Sequence, residues 1–289
     1  MTTIPFLIVV VVGFPLLVGR YAARSKAISM EEQRVLNAYG ILMILWLAFA
    51  AIAGHQGWWL QDRFLAALPG LWLPLIPVAI VTIPLFVLSI RSVVLRAGRS
   101  VPWRWFATIQ TTRLAAIGTA IKTHRGEFPA AVEYLVGVPD LLFGLSAIWM
   151  ARQIRLGRIS RTNWLLWNAI GIAIIVPFGM IVINMSLPGP LQTWTDPPSF
   201  LVALEFPLSL APTAIVPWLI VFNLWAIVSS WHPIAGDMRH VNVIGSPGET
   251  SVDVGNRSTH HRFSVNGRSG SRGSTQRVIG VHRPRLLRR

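Results

Sequence analysis

The sequence contains no cysteine, which excludes disulfide staples, thiolate metal ligands and a cysteine nucleophile. Lysine occurs only at Lys26 and Lys122, so the last apolar run has no amine with which to form a Schiff base. Charged residues make up 13% of the 289 positions, well below the roughly 25% of an ordinary soluble chain. Acidic residues are scarcer still, 11 against 26 basic ones. No HExxH zinc helix, G-x-S-x-G turn or pair of aspartate-rich motifs occurs, which places an enzymatic role last among the function classes. His124-x-x-Glu127 supplies two ligands where a closed zinc site takes about four, so no metal site and no cofactor are expected.

What the chain has in quantity is apolar surface. Hydrophobic residues are 53% of the total and are gathered in long runs, the pattern of an all-α, polytopic membrane bundle. The net charge of +15 resembles a nucleic-acid signature, but the basic residues fall between the apolar runs and in the tail, as membrane topology demands.

In chain order, Ile4–Val18 is a first span, followed at once by Arg20, Arg24 and Lys26. Ser29 and Glu32 form a capping-box pattern that starts a second helix running to about Ala53. Residues 55–70 place Trp58, Trp59, Phe64, Leu65 and Leu68 among polar neighbours and read as interfacial. A third span, Leu71–Ile90, is interrupted by Pro74, Pro77 and Pro84, and a basic loop with Arg91, Arg96, Arg99 and Arg104 follows. A hairpin of two spans, Trp103–Thr123 and Pro129–Arg152, leads into a second basic loop ending at Arg161. The sixth and seventh spans are Trp164–Met185 and Phe200–Ser229, the latter carrying Glu205 near its start and Pro207, Pro212 and Pro217. Seven spans with the N-terminus outside put the basic loops after spans one, three and five in the cytoplasm.

Residues 1–231 thus form the spanning domain. Residues 232–289 are rich in Gly, Ser, Asn and Arg, lack hydrophobic periodicity, and are expected to be a disordered cytoplasmic tail. Its basic residues follow the positive-inside rule as a solvated tail does, and the basic end, with Arg283, Arg285, Arg288 and Arg289, also suits attachment to the surface of anionic lipid. Nucleic acid fits it less well, because the aromatic platforms used for stacking bases are nearly absent. The partner expected is the bilayer itself; oligomeric state is not encoded in any pattern found.

The hairpin carries the functional signal. Arg113 sits inside its first helix, Glu133 and Asp140 inside its second, at a depth where an unpaired charge costs several kcal/mol. At ~1.5 Å per residue Arg113 lies ~15 Å and Asp140 ~16 Å from their helix entries, the midplane of a ~30 Å core. Glu133, Gly137, Asp140, Gly144 and Ala147 recur at spacings of three and four, as do Gln110, Arg113, Ala116 and Ala120 on the partner. In an antiparallel pair this register sets Arg113 level with Asp140, Ala116 with Gly137 and Ala120 with Glu133. Gly137, Gly144 and Ala116 let the helices approach, and an intramembrane Arg113–Asp140 ion pair is the expected result. Lys122, with Thr119, is placed to give Glu133 a second, shallower pair. Gln110, Arg113, Lys122, Glu133 and Asp140 are therefore the candidates for a substrate or ion pathway.

The pattern Gln110-x-x-Arg113, Gly118, Gly126-x-x-Pro129, Gly137-x-x-Asp140-x-x-x-Gly144 resembles one that recurs in uncharacterised bacterial multi-pass membrane proteins. The resemblance covers the hairpin alone. It implies a bacterial cytoplasmic membrane and brings no activity with it.

Two function classes lead. In one, the protein is a small-solute or proton-coupled transporter, with Asp140 or Glu133 as the protonatable group and Arg113 as counter-charge. In the other, it is a structural or assembly protein whose ion pair only fixes helix packing.

Overall fold

The computed structural model describes residues 4–230. They are predominantly helical, with no strand among them. Six helices are long and apolar enough to cross a membrane: α1 (Ile4–Arg24), α2 (Met30–His55), α3 (Pro69–Phe86), α6 (Ala130–Arg155), α7 (Arg161–Ser186) and α8 (Ala211–Ser230). Two further longer helical segments are α4 (Leu88–Ser100) and α5 (residues 103–124), and short helical turns at Trp58–Leu60 and Asp62–Ala66 lie between α2 and α3. Large apolar side chains such as Phe6, Val9, Ile41, Leu45, Leu142 and Leu166 face outward, as lipid-facing residues do. The architecture is that of a multi-pass membrane protein.

Local chemistry sets the helix boundaries. Ser29 caps α2 with both capping-box bonds, Glu32 N to Ser29 Oγ at 3.0 Å and Ser29 N to Glu32 Oε2 at 2.9 Å. Glu32 also receives Arg96 of α4 in an ion pair, which ties the start of α2 to α4.

Three spans contain a π-helical stretch, and each has proline in or beside it. Val138 N donates five residues back to Glu133 O just before Pro139, and Val216 N does the same to Ala211 O just before Pro217. Proline has no N–H to give to the i−4 carbonyl and its ring crowds that group, so the helix widens by one residue. In α7 the wide stretch Ile174–Gly179 surrounds Pro177, with Val176 out of helical geometry at φ −122°, ψ 119°.

In α5 the deviation is the opposite one. Gln110–Ala116 winds as a 3₁₀ helix, Ile117 N donating three residues back to Leu114 O. Threonines line it and bond its own carbonyls: Thr111 Oγ1 to Thr108 O at 2.7 Å, Thr112 Oγ1 to Ile109 O at 2.7 Å, Thr119 Oγ1 to Ala116 O at 2.8 Å. Such back-bonding competes with the ladder and distorts it. The same polar residues explain why α5 is not among the six most apolar helices.

Several boundaries differ from the sequence reading. The first helix runs past Val18 and carries Arg20 and Arg24 on its last turns. The expected basic loop at Arg91, Arg96 and Arg99 is the helix α4, because Val93, Val94, Ala97 and Gly98 make a buried stripe between those arginines. The third span ends at Phe86, and an extended Val87 separates it from α4. The last span starts at Ala211: Phe200–Leu204 is a separate 3₁₀ turn, and the intervening chain holds Pro207. The tail expected to be disordered lies outside the described residues.

Candidate functional site

Arg113 is 2% exposed, held by the 3₁₀ stretch of α5 against α6. Its Nη1 donates to Asp140 Oδ1 in an ion pair. Nε donates to Gln110 Oε1 at 2.8 Å, and Nη2 to the Gly171 carbonyl of α7 at 3.1 Å. The guanidinium carbon stands 4.8 Å from the centroid of the Phe143 ring, a cation–π contact. Gln110 in turn donates Nε2 to Leu219 O of α8 at 3.3 Å. One arginine thereby joins α5, α6, α7 and α8. Arginine keeps its charge in every protein environment, so the buried cation requires the anion it has.

The packing that permits this is close. A Cβ on Gly144 would stand 3.0 Å from Leu114 N and 3.2 Å from Arg113 C. The register consequently differs from the level-for-level pairing expected. Gly144, not Asp140, lies against the Arg113 backbone, and the long arginine side chain spans the offset of about one turn to Asp140.

Glu133 is also 2% exposed; the Thr119 hydroxyl of α5 is its polar neighbour, but that hydroxyl donates to Ala116 O at 2.8 Å, and neither carboxylate oxygen has a well-formed hydrogen bond among the described residues. It opens the π stretch of α6, and its side chain folds over Gly137, where a Cβ would come within 2.5 Å of Cδ and 2.7 Å of Oε1. Gly137 therefore makes room for Glu133. Lys122 does not reach Glu133. Its Nζ pairs with Glu127 at 3.6 Å, in an exposed contact that closes the hairpin turn. A lysine near a helix end extends to the solvated connection more cheaply than it buries itself. Ala116 is half-buried. No group of three or more His, Asp or Glu side chains converges as a metal site among the described residues. Arg283, Arg285, Arg288 and Arg289 lie outside those residues.

Sequence reasoning missed several members of the centre. Beyond Phe143 a stack of rings continues: Phe143 on Trp167 at 4.5 Å, Trp167 on Trp164 at 5.6 Å, and Trp164 on Trp103 at 5.4 Å. The pattern Trp164-x-x-Trp167 was a usable signal, since rings at that spacing share a helix face. Asn168 and Asn223 are fully buried; Asn168 Oδ1 and both side-chain polar atoms of Asn223 have no hydrogen-bond partner among the described residues. Asn223 lies one turn from Leu219, the residue that Gln110 contacts. A lone asparagine inside an apolar run was the signal there.

Comparison with protein-family models, with curated proteins and with solved structures finds no match to this chain.

Proposed function

We propose that the chain is a seven-span protein of a bacterial cytoplasmic membrane, N-terminus outside and C-terminus inside, that couples movement of a proton to movement of a small solute at the Arg113–Asp140–Glu133 centre. Segment α5 is the seventh crossing: residues 103–124 reach ~33 Å at 1.5 Å per residue, enough for a ~30 Å core. The positive-inside distribution of arginine supports the orientation.

The observation that carries the reading is Glu133. A buried carboxylate with no ion pair and only the Thr119 hydroxyl as polar neighbour across the hairpin costs several kcal/mol if ionised, and membrane proteins retain such groups at proton and ion sites. Asp140 is already committed to Arg113, which leaves Glu133 as the group free to take and release a proton. The π stretch that begins at Glu133 and the 3₁₀ stretch that holds Arg113 are the kinds of helix distortion that accompany functional sites and hinges.

The test is proton entry into liposomes holding the purified protein and a trapped pH dye, with amino acids, sugars and small organic acids offered outside in turn. Wild-type protein is expected to admit protons with at least one solute class, and Glu133→Gln to return the rate to that of empty liposomes. Wild-type rates equal to empty liposomes for the whole set would sink the reading. The packing alternative is favoured by one observation, the commitment of Arg113 to Asp140, Gln110 and Gly171 together. It expects Glu133→Gln to leave every measured flux unchanged.

A further inference from the structure

Away from the charged centre, a cleft of about 160 Å³ opens between α1, α2, α3, α4 and α8. Leu36, Tyr39, Leu85, Val94, Trp218 and Val228 are among the side chains lining it. The wall is hydrocarbon and aromatic ring; the Tyr39 hydroxyl is buried within the protein. Water gains nothing in such a space, whereas an apolar void of about 150 Å³ readily takes up a benzene-sized hydrocarbon.

The cleft reaches the lipid-facing surface. Val228 lines it and is 40% exposed on the outside. Beside Leu85 the chain breaks at Val87, and Phe86 and Leu88 stand 86% and 77% exposed. Large apolar side chains so displayed next to the opening belong in acyl chains, which identifies hydrocarbon as what enters.

The helix that carries the lining residue Val94 also carries a charge. Arg91 is exposed, one turn before Val94 on α4, and makes no ion pair among the described residues. Its depth follows from the contacts of α4 with α8. Trp225 Nε1 donates to Val94 O at 3.0 Å and Arg99 Nε to Ser229 O at 3.3 Å, so the two helices run side by side in one direction. Arg91 lies eight positions before Arg99 (read from the sequence), hence ~12 Å deeper than the end of α8. An arginine on the lipid side at that depth draws in an anion, and its guanidinium fits phosphate geometry.

We propose that this cleft is the site of an anionic phospholipid, one acyl chain lying in the cleft and the phosphate on Arg91. The zwitterionic lipid of equal chains is held less well, because its own cation competes with Arg91 for the phosphate.

The experiment is native mass spectrometry of the full chain, delipidated in detergent and titrated with phosphatidylglycerol or phosphatidylcholine of identical chains. One phosphatidylglycerol is expected to bind about fivefold tighter than phosphatidylcholine, the ratio that ~1 kcal/mol per basic residue gives. Arg91→Gln should bring the two lipids level. Leu85→Trp should fill the cleft and remove the tight site for both; Val228→Trp, at a partly exposed position, does the same if the first variant fails to fold. Equal binding of both lipids by wild type, a preference that survives Arg91→Gln, or a tight site that survives a folded cleft-filling variant would each overturn the assignment.

Discussion

Gly144 lies so close to Leu114 that a single methyl group on its Cα would stand 3.0 Å from the Leu114 amide nitrogen. The atom in the way is backbone and cannot rotate aside. Gly144→Ala is therefore expected to destabilise the protein by about 1–3 kcal/mol, the usual cost of overpacking, and Gly144→Leu to prevent folding. Thermal unfolding in detergent measures the first. Gly118, with open space around its Cα, is the control: a Cβ there meets nothing, and on a helix Gly118→Ala should leave stability unchanged or raise it by up to about 1 kcal/mol.

The ion pair behaves asymmetrically under mutation. Arg113→Ala leaves Asp140 buried and alone, and Asp140→Ala leaves Arg113 so; each should cost about 3–5 kcal/mol. The neutral double variant Arg113→Met with Asp140→Leu should recover most of that. Exchanging the charges should not, because an aspartate at position 113 would face the Gly171 carbonyl and the oxygen of Gln110, both acceptors. A charge exchange as stable as wild type would show that the pair acts through charge alone.

Glu133→Gln separates stability from function. The carboxylate has no ion pair to lose, and its polar neighbour Thr119 can serve an amide as well, so the variant should be as stable as wild type or slightly more so. A loss above ~2 kcal/mol would mean that Glu133 makes a bond in the membrane that the described residues do not contain.

At the polar end of α2 the expected effects are small. Arg96→Ala removes an ion pair whose side chains are 46% and 32% exposed, and should cost under about 1 kcal/mol, less still in high salt. Ser29→Ala removes the cap and should cost about 1 kcal/mol at any salt concentration. Unfolding at low and high ionic strength distinguishes the two.

The sequence by itself determined the class of protein, the capping box at Ser29 and the burial of Arg113 with Asp140. These follow from local quantities: the length of apolar runs, the spacing of three and four, and the price of a charge at membrane depth. The tertiary structure decided the rest. It set Gly144 against the Arg113 backbone, turned Lys122 to Glu127, left Glu133 without an ion pair among the described residues, and made the arginine stretch from Arg91 to Arg99 a helix. Only the folded chain brings Gly171 and Leu219 to the centre, from 58 positions beyond Arg113 and 109 beyond Gln110. Spacing along one helix states which side chains share a face. It does not state which neighbour that face meets, nor how far a long side chain reaches once it arrives.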